Sequence, residues 1–259
     1  MQHENWQSAC APPRRVFFLP KVRFVRSTLL VSSPPATFDQ MSLDRDGAER
    51  FDSAATRLLG QLEDLFEHHP ASAAGTRLFD NQDVRALLVK DSPIARLAAD
   101  LLGRRARPVR AILFDKRKSA NWRLGWHQDR VVAVRQRADV PGFGPWSVKR
   151  GVPHVAPPWS ILGAMRTLRV HLDAVSADNA PLLVAPGSHC IGIVAEPEIE
   201  AVVARLGTRS CLAAAGDVWA YATPILHASA PSLEGLSRRV LQLDFAAVDL
   251  PDGLSWYGV

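Results

Sequence analysis

Cysteine is scarce in this chain of 259 residues: Cys10, Cys190 and Cys211 are all it has. An odd number with no short spacing argues against a disulfide framework and against a thiolate metal site. Three reduced thiols in a cytoplasmic protein are the expectation. Long apolar runs are missing too. No stretch approaches the roughly 20 residues that a bilayer span requires, so no membrane partner is expected. The opening stretch, MQHENWQSACAPPRRVFFLP, lacks a basic start followed by a long apolar segment, which argues against a signal peptide. The formal net charge is +5, yet no basic run is long enough to track a nucleic-acid backbone. The scattered lysines and arginines favour an anionic small substrate, or plain solubility. There is no internal repeat, no low-complexity tract and no glycine-rich phosphate loop. Gly142 and Gly144 in PGFGPW follow no strand-to-helix turn of the required kind.

What is present is an ordinary apolar fraction, 47%, enough for one large domain with a sizeable core. Residues 1–45 are broken by prolines, with a short strand plausible at KVRFVRSTLLV. Residues 46–259 read as a single domain. Its first part, 46–105, is helical: Phe51, Ala54, Ala55, Leu58, Leu59, Leu62 and Leu65 fall on one stripe at helical spacing. Two shorter helices follow near NQDVRALLVK and SPIARLAADLLGRR. Ser92 caps the second of these, Pro93 takes its first position and Gly103 ends it. From 107 to 249 short β-forming runs alternate with Pro, Gly, Asn and Asp, interrupted by a helix at PEIEAVVARLG. Helices followed by strands suggest an α+β protein whose sheets close into a jelly roll.

Within that strand region, NWRLGWHQDR places His127 and Asp129 two residues apart. On a strand both would point to one face. With one histidine from a neighbouring strand they would make a facial triad, which suits non-haem Fe(II) and leaves positions open. His227, in PILHASA and 98 residues after Asp129, is the candidate third ligand. Arg238 lies 11 residues further on, at the start of RRVLQLDFA. A buried arginine needs an anion, and a guanidinium matches a carboxylate with two parallel hydrogen bonds. Ser229, two after His227, could add a hydroxyl donor. Arg238 and Ser229 together would hold the distal carboxylate of a 2-oxo diacid.

The order His127, Asp129, His227, Arg238 resembles the phytanoyl-CoA dioxygenase family of Fe(II)/2-oxoglutarate oxygenases. Four further segments, FDKRKSANWRLGWHQD, GFGPWSVKRGVPHVAPP, LRVHLDAVSADNAPLLVAPGSH and GDVWAYATPILHASAPS, share the likeness, which covers roughly residues 80–249. The resemblance implies a double-stranded β-helix, a cupin-like barrel, flanked by N-terminal helices. It implies iron at His127, Asp129 and His227, and 2-oxoglutarate at Arg238 and Ser229. It implies O2 as co-reactant, with ascorbate as a stimulant, and hydroxylation or another oxidation of a small molecule with release of succinate and CO2. Because Asp129 is present, halogenation is disfavoured. Ala180 departs from the pattern, standing where a glycine usually follows Asn in a turn.

Supporting residues carry two readings each. Lys116 and Asn121 contact cosubstrate or substrate, or occupy a solvated turn; Lys116 is assigned to the cosubstrate and Asn121 to the substrate. Thr167, Arg169 and His171 alternate on one face of a strand, facing either water or a polar cavity. In the cavity, Thr167 would serve the cosubstrate, and Arg169 and His171 the substrate. Trp126 shields the iron or belongs to the core. The irregular segment 141–159 reads as a lid or binding loop, with Trp146, Lys149, Arg150 and His154 choosing the substrate. The alternative function is a cupin-type metal-binding protein without 2-oxoglutarate chemistry. Oligomeric state is left open.

Overall fold

The computed structural model describes residues 40–69, 75–117, 120–233 and 236–259. The strand expected at KVRFVRSTLLV, like Cys10, lies outside them. The described chain opens with α1 (Leu43–Asp46) and β1 (Ala48–Phe51), followed by α2 (Leu59–His68), β2 (Thr76–Leu78), α3 (Gln82–Leu87) and α4 (Pro93–Leu102). Then come β3 (Arg107–Lys116), β4 (Leu124–His127), β5 (Val132–Ala133), β6 (Trp146–Lys149), β7 (Val152–Val155) and α5 (Trp159–Leu162). The last part holds β8 (Arg166–His171), β9 (Leu182–Val184), α6 (Ile199–Leu206), β10 (Arg209–Cys211), β11 (Val218–Ala222), β12 (His227–Ser229) and β13 (Arg238–Ala246). Met41–Val259 form one compact unit.

The strands make three antiparallel sheets. The largest has six strands in the order β1-β11-β8-β13-β3-β2, the second four in the order β10-β9-β12-β4, and the third is β5-β7-β6. The six-stranded sheet is buried on both faces, for different reasons. One face presents Ala111, Leu113, Leu168, Val170, Leu241 and Leu243, which pack with Leu62 and Leu65 of α2, Val84 of α3 and Ile94 of α4. That is the main core. Trp219 and Tyr221 on the other face pack against Leu182 and Val184 of the four-stranded sheet. The same inner face also carries charge. Thr167, Arg169 and His171 of β8 alternate with the apolar set and are all buried. Their polar face lines the interior; the outward reading does not hold.

Two expectations are corrected. Residues 48–51 were expected to be helical but form β1, an edge strand paired with β11 through Phe51↔Val218 and Ala48↔Tyr221. Tertiary pairing overrides local propensity there. The helix begins only at Leu59, where Leu62 and Leu65 of the predicted stripe are buried. The segment 141–159 is not wholly irregular: it contains the β6–β7 hairpin, closed by Arg150 (φ 51°) and Gly151 (φ 81°). Two positive φ values in a two-residue loop suit the twist of a hairpin. The cap signals at α4 hold: the Ser92 side chain accepts from the Ala95 amide, with Pro93 at the start.

Cys211 is a buried free thiol. No helix among the described residues is long and apolar enough to cross a membrane.

Candidate metal centre

His127 ends β4 and His227 begins β12, and the two are direct partners across that antiparallel pair. Their rings lie 4.2 Å apart, centroid to centroid. Asp129 follows two residues after His127, just beyond the strand. One ligand atom from each of His127, Asp129 and His227 lies within 4.8 Å of the other two. Each histidine is also held from behind. Nδ1 of His127 donates to the Gly125 carbonyl at 2.8 Å, and Nδ1 of His227 to the Ile225 carbonyl at 2.9 Å. A carbonyl can only accept, so Nδ1 carries the proton and Nε2 keeps its lone pair in both rings. That is the tautomer a metal needs. Burial, then His127, pushes His227 down to about 4, so its ring is neutral at neutral pH.

Burial alone would raise the Asp129 carboxyl. Arg110 and the two histidines outweigh it and hold the group well below the usual carboxylate range. Arg110, on β3, donates to Asp129 Oδ2 at 2.6 Å and through Nε to Asp244 on β13. Thr167 donates to the other oxygen of Asp244 at 2.9 Å. Thr167 thus belongs to the support behind the aspartate rather than to an anion pocket. Gln128, pointing away between the two ligands, ties them to the frame: it donates to the Gly192 and Pro224 carbonyls at 2.9 and 2.8 Å and accepts from the Val194 amide. Three oriented donors of the N,N,O type fit a divalent transition metal such as Fe(II).

Further along the same inner face is a second cluster. Lys116 and Arg238 are direct partners across β3 and β13, so two cations share one face. Like charges directly opposite one another are destabilising. Arg169, two residues before His171 on β8, adds a third cation. No carboxylate among the described residues pairs with any of them. Lys116 Nζ donates to Ser229 Oγ at 3.1 Å and to the Ala230 carbonyl at 2.6 Å. Arg238 donates to the Ala180 carbonyl, which also accepts from Ser229 at 3.3 Å. Ala180 holds a left-handed backbone (φ 49°), so the turn that glycine usually makes is kept at some strain. Nε of Arg169, Nε of Arg238 and both ring nitrogens of His171 are buried with no hydrogen-bond partner among the described residues. Burial, then Arg169 and Arg238, pushes His171 well down, so it stays neutral. Orphaned donors and uncompensated positive charge fit an anionic guest of carboxylate type.

The remaining predicted residues divide. Asn121 does not reach the centre: its amide clamps Ser232, donating to that carbonyl and accepting from that amide, both at 2.8 Å. Trp126 packs with Ile199 and Val203 of α6, because strand alternation turns it away from His127. Trp146 packs with Val132 and Val155 on the opposite face of β6 from Lys149. Arg150 sits exposed at the hairpin turn. Exposed Lys149 and buried His154 share one face of the β6–β7 hairpin and lie within electrostatic reach of Arg110. Arg110, Asp244 and Gln128 escaped the sequence reading. The available signal was polar residues placed inside otherwise apolar strands at Arg110 and Asp244.

The model of the phytanoyl-CoA dioxygenase family matches residues 35–240. No match was found among curated proteins. Among solved structures the chain is similar to EctD from S. alaskensis in its apoform, at 21% identity and TM-score 0.59, covering 86% of this chain and 83% of that one. A structure of EctD with 2-oxoglutarate and 5-hydroxyectoine is similar at 19% identity and TM-score 0.58, covering 88% and 83%. HygX from Streptomyces hygroscopicus, with nickel and 2-oxoglutarate bound, is similar at 14% identity and TM-score 0.53, covering 79% and 83%. At such identities the likeness is one of fold. The family match spans most of the chain, and on that ground the chain belongs to the phytanoyl-CoA dioxygenase family.

Proposed function

We propose that this protein is an Fe(II)- and 2-oxoglutarate-dependent dioxygenase that hydroxylates, or otherwise oxidises, a small molecule. For hydroxylation, one oxygen atom of O2 enters the product and the other enters succinate, with CO2 released. The observation that carries the reading is the pairing of two sites: an N,N,O donor set with free Nε2 lone pairs, and beside it three buried cations without a carboxylate. Family membership and neighbours whose structures hold 2-oxoglutarate support it. The six- and four-stranded sheets are read as the two halves of a double-stranded β-helix.

His127, Asp129 and His227 would hold the metal. When bound, Fe(II) supplies open positions for the 2-oxo acid and dioxygen, and the oxidising chemistry itself. The chain's own residues do the rest. The Gly125 and Ile225 carbonyls fix the histidine rings, and Arg110 keeps Asp129 ionised and aimed. Arg238, Lys116 and Ser229 would receive the distal carboxylate of 2-oxoglutarate, with Arg169 adding to the positive field. Trp219, Tyr221 and the β9 residues wall this interior from water. A cupin-type role without 2-oxoglutarate leaves the three cations unexplained.

The test is anaerobic addition of Fe(II) and 2-oxoglutarate to the purified protein. A visible charge-transfer band, followed by succinate release on admitting O2, is the expected result. Neither a band nor succinate with any additive would sink the reading.

A further inference from the structure

Positive charge gathers on a second side of the metal centre as well. Arg77 on β2 is the direct partner of Ile112 on β3, so it shares the inner face with Arg110 and Lys116. Its level along β3 is two residues from Arg110 and four from Lys116, which puts it toward the metal end. Its Nε is buried and has no hydrogen-bond partner among the described residues. The β6–β7 hairpin carries a further cation, the exposed Lys149. Ser147 and His154 are direct partners there, and Lys149 is two residues beyond Ser147, so Lys149 and His154 share a face. The opposite face of this hairpin is occupied by apolar packing through Trp146 and Val155. Lys149 and His154 both lie within electrostatic reach of Arg77.

No carboxylate among the described residues forms an ion pair with Arg77 or Lys149. The acid within their reach is Asp129, which already accepts from Arg110 and stands in the metal donor set. His154 adds a different capacity. Its Nδ1 donates to the Val152 carbonyl at 2.9 Å, so Nε2 is an acceptor with no hydrogen-bond partner among the described residues. Burial, then Lys149 and Arg77 among the nearby charges, holds this ring below its ordinary value, which keeps it neutral. The group thus offers two cations and one acceptor, separate from the cluster at Arg238.

We propose that Arg77 and Lys149 form a second anion subsite, which seats a carboxylate or phosphate group of the prime substrate. His154 accepts a hydrogen bond from a hydroxyl or amine next to that anion. The substrate class is therefore a small hydroxy or amino acid, or a phosphorylated counterpart, rather than a neutral or cationic molecule. This rests on the oxygenase reading for what is done to the substrate, but not for whether the anion binds.

Two measurements separate the ideas. In the first, inorganic phosphate is titrated into metal-free protein saturated with 2-oxoglutarate, followed by thermal melting. Saturable stabilisation is expected, and Arg77→Gln with Lys149→Gln should weaken the phosphate affinity about tenfold or more, as loss of charge-assisted hydrogen bonds implies. Affinity for 2-oxoglutarate should be unchanged, and exposed Arg137→Gln should change neither. Equal phosphate affinity in the wild type and the double variant overturns the subsite. The second measurement is Fe(II)-dependent succinate release with small hydroxy acids, amino acids and phosphate monoesters, each beside its neutral amide or methyl ester. Stimulation by the anions alone is expected, with KM raised by Arg77→Gln; carboxylates against phosphates then identifies the anion. Preferred turnover of a neutral compound, unaffected by Arg77→Gln, overturns the proposal while leaving the oxygenase intact. Absence of succinate with every compound, alongside intact phosphate binding, removes the oxygenase and keeps the subsite.

Discussion

At the metal end of the inner polar face, Arg110 is wedged between two carboxylates, Asp129 and Asp244, and Thr167 fills one of the remaining acceptor positions. At the other end Lys116, Arg169 and Arg238 crowd together with no carboxylate among the described residues. Both regions bury charge. In the first, the one cation and both carboxylates are paired with one another, and burial pushes the Asp244 carboxyl up. The second is unbalanced, and each cation raises the cost of its neighbours. Burial pushes Arg238 down to about 9, with Arg169 adding to the shift. Charge balance, rather than burial, thus separates a support from a binding pocket. A balanced network stabilises the empty protein, whereas an unbalanced one is stabilised by its ligand.

The comparison can be broken most severely at the ligands themselves. His127→Ala and His227→Ala should each abolish Fe(II) binding and turnover, as read by metal titration and succinate release; wild-type turnover in either would remove that histidine from the centre. Next is the balanced end. Arg110→Met leaves two buried carboxylates facing each other and should cost about 3–5 kcal/mol in chemical denaturation. It should also weaken metal affinity by about 10–100-fold. A loss below about 1 kcal/mol would mean that the network is not a support.

The unbalanced end should respond the other way. Arg238→Gln should leave stability unchanged or improved, yet raise the Kd for 2-oxoglutarate by about 10–100-fold, from the loss of charge-assisted hydrogen bonds. Unchanged affinity in calorimetry would exclude Arg238 from the pocket. A subtler effect follows from Lys116. Burial, then Arg238 and Arg169, pushes its ammonium down to about 7. In the unfolded chain it keeps its proton to about pH 10. Between these values the unfolded state binds more protons, so this group makes the empty protein more stable as pH rises from about 7 toward 10. A bound carboxylate favours the ammonium, so 2-oxoglutarate affinity should fall as pH rises above about 7. Calorimetry at about pH 6.5 and about pH 8.5 would show this; a flat affinity would rule out a role for the Lys116 charge. Smallest is Asn121→Ala, which removes the Ser232 clamp and should cost about 1 kcal/mol in stability while leaving the KM for any substrate unmoved.

The parts of this molecule legible in the sequence are those with a short-range signature. Ser92 and Pro93 announce α4, and alternation from Arg166 to His171 announces β8. His127, Asp129 and His227 were visible as spacing, and they do come together. What stayed hidden depends on register and on which face a strand presents. Ala48–Phe51 has nothing local to mark it as a strand; its partner lies in β11. Trp126 adjoins a ligand in sequence but packs on the other side of β4. Arg77 has no motif at all, and only its pairing with Ile112 brings it inside. Arg110 looked like one more arginine in a strand until Asp129 and Asp244 closed on it from elsewhere.

The pairing of His127 with His227 across β4 and β12 has a consequence for how such a protein can change over time. Both rings are positioned by backbone ladder and by carbonyls two residues behind them, so chain length here matters as much as residue identity. One residue inserted between Leu124 and His127 would turn His127 to the α6 side and bring Trp126 inward. A substitution beside the centre leaves this spacing intact, whereas an insertion or deletion in the ladder does not. The spacing of this short ladder is fixed.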